Sequence, residues 1–221
     1  MGDITLIKIK EEILSENREL AAELRAGLGE KGVFLVNFMS SPGSGKTSLI
    51  VRTVQGLGDT YRTAVIEGDV DSAVDAERVA REGVVAVQIQ TGGSCHLTAA
   101  MVEKGLQALA LETVDLLLLE NIGNLICPVG SDTGAHLNVA ILSVPEGDDK
   151  PLKYPRIFQK ADAFVVNKMD ALEIFDFDVE AFRRRVRRLN PNAPIFQLSC
   201  KTGDGVDPWC EWLRERVEGG R

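Results

Sequence analysis

A chain of 221 residues, 44% hydrophobic and 26% charged, suits one soluble α/β domain that buries most of its unfolded surface. Its formal net charge of −8 argues against non-specific nucleic-acid binding and against docking on an anionic membrane. No apolar run reaches the ~20 residues that span a bilayer, the opening Met1-Gly2-Asp3 is not a secretory signal, and four cysteines are too few for a disulfide scaffold. A reducing cytoplasm is the expected setting.

From Lys10 to Leu28 the chain reads as an amphipathic helix. Ile13, Leu14, Leu20, Leu24 and Leu28 recur at helical spacing, and Gly29 and Gly32 mark its end. This suggests a helical extension over residues 1–30 and a single domain over 31–221. Within the domain apolar runs alternate with helical patterns. Strands are expected at Val33–Met39, Thr63–Glu67, Val84–Gln88, Val114–Leu119, Asn138–Val144, Ala163–Asn167 and Pro194–Leu198. Helices are expected at Lys46–Gln55, Ala73–Arg81, Leu97–Leu109, Tyr154–Phe158, Val179–Leu189 and Val206–Arg216. Near-continuous apolar strands separated by helices predict an α/β fold, a mostly parallel sheet with helices on both faces. Ligands of such sheets lie beyond the carboxyl ends of the strands.

The first strand runs into Ser40-Ser41-Pro42-Gly43-Ser44-Gly45-Lys46-Thr47, followed by Ser48 and a helix. Strand, glycine loop, then Gly-Lys-Thr is the context of a nucleotide-binding phosphate loop, and it predicts a P-loop NTPase. Gly43, Ser44 and Gly45 let backbone N–H groups converge on phosphate oxygens, and the helix N-terminus adds its positive dipole end. Lys46 is expected to reach the β- and γ-phosphates and Thr47 to ligate Mg²⁺. Ser40 replaces the usual first glycine. Oxygen ligands for Mg²⁺ are sought at strand ends, where Asp69, Asp75 and Glu120 stand, with Asp71 weaker. No glutamine occupies an obvious water-positioning place and no arginine finger is assured, so hydrolysis by one subunit is expected to be slow.

Asn167-Lys168-Met169-Asp170 closes another strand and matches the guanine-specificity pattern N-K-x-D. A carboxylate at Asp170 can accept from guanine N1–H and its exocyclic amine, a donor pair adenine lacks. Ser199-Cys200-Lys201 follows the last strand as a small-residue loop over the base. GTP is therefore favoured over ATP.

Cys95-His96 follows Thr91-Gly92-Gly93 at a helix start, and Cys127 follows the strand that ends at Glu120. Two thiols and an imidazole on neighbouring loops suit Zn²⁺ or Ni²⁺. With no C-x-x-C pair, three ligands per chain fall short of a closed tetrahedral site; a two-fold dimer placing this edge against its mate would supply enough, and such a site could use fewer than all of them. Cys210 and His136 read as packing residues, and Arg183–Arg188 as a solvated helix face.

The stretches SPGSGKTSL, EGDVDSAVDAERV, TGGSCHLTAAMV, ENIGNLICP, SVPEGDDKPLKYP and VVNKMD together resemble the HypB family, GTPases that help insert nickel during [NiFe]-hydrogenase maturation. The likeness runs from about residue 33 to residue 203. It implies Cys95, His96 and Cys127 as metal ligands, and Asp69, Asp75 and Glu120 as switch or Mg²⁺ residues. It also implies a GTP-dependent homodimer with metal at the subunit contact, and as partners other maturation factors and the hydrogenase large-subunit precursor. Lys150 and Lys153 match a family segment that would reach the partner subunit or its nucleotide. The urease accessory GTPase is similar in its phosphate loop and N-K-x-D but carries Cys-Pro-His where this chain has Cys95-His96-Leu97. Residues 1–30 hold neither Cys nor His, so an N-terminal nickel-capture motif is not expected. Two other classes remain: an ATPase bridging an iron–sulfur cluster across a dimer, which N-K-x-D and His96 oppose, and a metal carrier whose nucleotide is structural.

Overall fold

The computed structural model describes residues 9–72 and 74–220. Met1-Gly2-Asp3 and Ala73, the first residue of one expected helix, lie outside them. In chain order the elements are α1 (Ile9–Glu30), β1 (Phe34–Ser40), α2 (Lys46–Leu57), β2 (Thr63–Asp69), α3 (Val74–Ala80), β3 (Val85–Gln90), α4 (Ala99–Gln107) and β4 (Leu116–Glu120). Then follow β5 (Leu137–Ser143), α5 (Lys150–Lys153), α6 (Pro155–Lys160), β6 (Ala163–Asn167), α7 (Val179–Leu189), β7 (Ile195–Gln197) and α8 (Val206–Gly220).

All seven strands form one sheet in the order β3-β2-β4-β1-β5-β6-β7, and every pairing is parallel. Strand β1 is central, flanked by β4 and β5. The chain winds outward from it on one side and returns to build the other. The carboxyl ends of β1, β4 and β5 therefore surround a topological switch point, where such sheets open a crevice.

Burial explains the strand compositions. Along β1, Val36 and Phe38 join a core beneath α2 and α8, with Leu49, Leu57, Trp209 and Leu213. Leu35 faces the other way, packing with Leu28 of α1 and with Leu97 and Val102 beneath α4. Farther along that second face, Phe158 and Phe182 cover Ala140, Leu142 and Phe164. Both faces being covered, no strand of the sheet's middle needs to alternate apolar with polar.

Several element ends differ from expectation, three of them for clear local reasons. Strands β2 and β3 run on to Asp69 and Gln90, because Gly68 and Asp69 stay paired with Ile89 and Gln90 after the apolar run has stopped. Helix α4 starts at Ala99 rather than Leu97, because the Thr98 side chain accepts from the Met101 amide and caps it. The four-residue α5 was not foreseen. Helix α1 is held to the domain by polar contacts as well as by Ala21 and Leu28. Asn17 donates to Asp132 O at 2.8 Å and accepts from Ala99 N at 2.9 Å, and Arg25 grips the Asp132 carboxylate.

Candidate nucleotide and metal site

The loop from β1 to α2 takes its shape from its glycines. Gly43 and Gly45 have φ of 76° and 98°, a backbone region closed in practice to residues with a Cβ. At Gly45 a Cβ would also stand 2.4 Å from Asn167 Nδ2. No side chain caps α2 at Gly45, so its first amides and dipole end are left to a ligand, the arrangement that binds phosphate. Lys46 is buried in the loop, its Nζ donating to Ser40 Oγ at 3.2 Å and standing 3.8 Å from Glu120 Oε1. The serine in place of the usual first glycine thus holds the lysine head. Thr47 donates to Glu120 Oε1 at 3.1 Å, while Ser48 accepts from Arg78 at 3.2 Å.

Opposite the loop, a cleft of about 350 Å³ is lined by Lys46, Glu67, Asp69, Asp75, Gln88 and Glu120. Of these, Glu67 and Gln88 were missed by sequence reasoning. Burial, with the neighbouring Glu120 charge, pushes Glu67 up to about 11, and burial also raises Glu120. With both carboxyls held up, chiefly by burial, the pair keeps a proton through the ordinary carboxylate range. Asp69 is partly committed elsewhere. Its Oδ1 accepts from the amides of Asp71 at 3.0 Å and Ser72 at 2.7 Å, and those backbone bonds lower its pKa.

The N-K-x-D segment braces the phosphate loop. Asn167 Nδ2 donates to Ser44 O at 2.9 Å, and its Oδ1 accepts from Lys168 N at 2.7 Å and Cys200 N at 3.1 Å. Lys168, at φ 61°, extends Nζ to Gly43 O at 2.7 Å. Asp170 is exposed, with Ser199 Oγ donating at 2.6 Å, and that bond holds its carboxyl below the usual range. Lys201 Nζ is 3.8 Å from the other oxygen. Burial raises the Cys200 thiol to about 11, as suits a small packing residue.

Cys95, His96 and Cys127 are brought together, their ligating atoms all within 4.8 Å of one another. The sequence separation closes because β3 and β4 flank β2 and end at the same sheet edge. Cys95 is exposed and the others half-buried. Burial lowers His96, favouring the neutral imidazole that ligates metals. The neighbouring Cys127 thiol holds the Cys95 pKa up, and Cys95 Sγ lies 3.6 Å from His96 Nδ1. The loops are built firmly. Thr91 Oγ1 donates to Ser94 O, Ser94 Oγ to His96 O, and Asn124 Oδ1 accepts from the amides of Ile126 and Cys127.

The loop that carries Cys127 also lines the cleft opposite the phosphate loop, through Asn121 and Gly123. Asn121, fully buried next to Glu120, accepts at Oδ1 from Leu97 N at 3.1 Å and Ile122 N at 2.9 Å, and donates to Asn37 Oδ1 at 3.2 Å. Gly123 lies so close to the phosphate loop that a Cβ there would stand 3.0 Å from the backbone of Pro42.

The family described as CobW/HypB/UreG, nucleotide-binding domain, matches residues 34–197. Hydrogenase maturation factor HypB of Azotobacter vinelandii is 47% identical over 216 residues, covering 98% of this chain and 71% of that protein. The chain belongs to the HypB family. The crystal structure of Helicobacter pylori HypB in complex with nickel superposes with a TM-score of 0.88 at 41% identity, over 92% of this chain and 96% of that one. HypB from Archaeoglobus fulgidus gives 0.85 at 43%, over 92% and 99%.

Around this HypB site the remaining candidates have local partners. Lys150 pairs with Glu146 at 3.8 Å and Lys153 with Asp149 at 2.6 Å. Glu146 in turn accepts from Ser41 of the phosphate loop and from Ser143 N. His136 stacks on Phe34 and accepts from Leu35 N at 3.0 Å, a packing role, and Cys210 is buried against Gly56. In the basic run, Arg183 pairs with Glu180, Arg185 with Asp148, and Arg187 donates to Ala193 O. No helix among the described residues is long and apolar enough to cross a membrane.

Proposed function

We propose that this HypB-family chain binds and slowly hydrolyses GTP in the cytoplasm, and that nucleotide-driven pairing of two copies controls a Ni²⁺ or Zn²⁺ site at their contact. The cargo is nickel for a [NiFe]-hydrogenase large-subunit precursor, handled with other maturation factors. Residues 31–221 form the GTPase unit in this reading, with 1–30 as its helical extension.

The amides of Gly43, Ser44, Gly45 and Ser48, with Lys46, hold the phosphates. Asp170 and Ser199 read guanine, with Asn167 and Lys168 fixing the loop beneath and Cys200 and Lys201 covering the base. Thr47, Asp69 and Glu120 are the hard-oxygen set for Mg²⁺, and the pairing of Thr47 with Glu120 at 3.1 Å suits such an ion. The ion's contribution is neutralisation of charge developing on the phosphate oxygens. Asp75, on the short helix beside the cleft, is the residue that would respond to the γ-phosphate.

The observation that carries the reading is the cluster of Cys95, His96 and Cys127 within 4.8 Å, on loops that also wall the nucleotide cleft through Asn121 and Gly123. Cys95 is exposed, and Ile126 beside Cys127 is 66% exposed, which is what a site completed by a second copy requires. The H. pylori relative, in complex with nickel, supports the choice of metal. Because linkage is reciprocal, nucleotide state and metal affinity must change together. Ni²⁺ and Zn²⁺ titrations of GDP-loaded and GTP-analogue-loaded protein should differ by roughly 5- to 150-fold. Equal affinities would reject the switch.

A further inference from the structure

Three adjacent strands present oxygens without partners at the floor of the cleft. The parallel register sets Glu67 of β2 beside Gln88 of β3 on one side and beside Glu120 of β4 on the other. Gln88 Oε1, Glu67 Oε1 and Glu120 Oε2 are buried and have no hydrogen-bond partner among the described residues. Glu67 is only 2% exposed. The Gln88 amide is oriented by its nitrogen, which donates to Glu67 O at 3.2 Å and Ile89 O at 3.4 Å and so leaves the oxygen free. Native proteins rarely leave buried acceptors unpaired, and three in one row call for a donor-bearing occupant.

The charge of the lining narrows the occupant. Asp69, Asp75 and the Glu67–Glu120 pair, which shares a proton, face the cleft, still an acidic excess over Lys46 among its lining residues. An oxygen-only row with this excess of carboxylates suits a hard divalent cation. Mg²⁺ dehydrates reluctantly, so the waters it keeps are the donors that these oxygens lack. Asp69 is less suited, since one of its oxygens already serves the Asp71 and Ser72 amides.

We propose that Glu67 and Gln88 are positioning residues of the nucleotide's divalent-cation site, accepting hydrogen bonds from ion-bound water while Thr47 and Glu120 hold the side nearer the phosphate loop. The proposal rests on the reading that this cleft takes a metal–nucleotide complex. It extends the site to β3, so that ion occupancy is felt on the strand that leads into Cys95 and His96.

The test uses full-length protein loaded with a non-hydrolysable GTP analogue, with Mn²⁺ standing in for Mg²⁺ and free ion read by electron paramagnetic resonance. Glu67→Met, which removes the acceptor oxygen, should weaken Mn²⁺ binding by about 10-fold or more, the loss expected when a group supporting a metal shell is removed. Gln88→Met should weaken it in the same direction by less, and neither should change analogue affinity in EDTA. If Glu67→Met does not fold, Gln88→Met carries the test. Mn²⁺ affinities within about twofold of wild type for the folded variants, with Thr47→Ala losing the ion, would overturn the proposal and leave Glu67 as a mere buried partner of Glu120. Wild-type Mn²⁺ affinity in Thr47→Ala would instead reject the metal–nucleotide reading itself, and the proposal with it.

Discussion

Asp170, which we propose reads guanine, keeps its charge because Ser199 donates to one carboxylate oxygen, while Lys201 lies near the other. Guanine recognition needs two acceptors there. In Asp170→Asn one acceptor becomes a donor facing a guanine donor, so GTP affinity should fall by about 1.5–3 kcal/mol, roughly 10- to 100-fold. Xanthosine triphosphate, whose C2 carbonyl accepts from that amide, should recover the loss in a fluorescence titration. Glu67 supplies a pH-dependent prediction. Its folded pKa of about 11 lies far above the ordinary 4.5. Between those values the folded chain holds a proton that the unfolded chain releases, so this contribution to stability is complete below the lower value and declines as pH rises toward the upper one. The melting temperature of nucleotide-free protein should therefore fall more steeply between about pH 6 and pH 9 than that of Glu67→Gln, whose amide never ionises. Parallel slopes would remove Glu67 as the cause. This residue was invisible in the sequence, where it reads as one polar position ending an apolar run; only its register with Gln88 and Glu120 gives it meaning.

Helix α8 fixes one whole face of the sheet through Trp209. That side chain is fully buried, packs on Phe38 and Phe196, and donates from Nε1 to Thr53 Oγ1 of α2 at 2.9 Å. Trp209→Ala should cost about 3–5 kcal/mol in urea unfolding, since it empties a large volume and leaves the Thr53 hydroxyl without its donor. The half-buried Trp212 should cost less. Element types were legible because periodicity reflects burial: continuous apolar runs announced strands covered on both faces. Element ends were less so. Thr98 moved the start of α4 by capping it, and the turn Lys150–Lys153 was hidden because it is too short to show a period and has Pro151 near its start. The phosphate loop and N-K-x-D were readable for a different reason. Each is a contiguous string whose backbone geometry is dictated locally, at Gly43, Gly45 and Lys168.

At the scale of the molecule, strand order does what sequence spacing could not. Cys127 lies far along the chain from Cys95 and His96, and no spacing rule pairs them; the order β3-β2-β4 delivers both loops to one sheet edge. Among the described residues the same order leaves β3 as an edge strand, paired only with β2, whereas β1 is enclosed on both sides. Asn121 joins these regions, with one carboxamide oxygen tying the turn after His96 to the tip of β4. Neither tip can swing without breaking a buried hydrogen bond of Asn121 or dragging its neighbour along. The thiol–imidazole turn and the acidic end of β4 thus hang from a common pivot, and mechanical independence of the two is forbidden by the covalent size of a single asparagine.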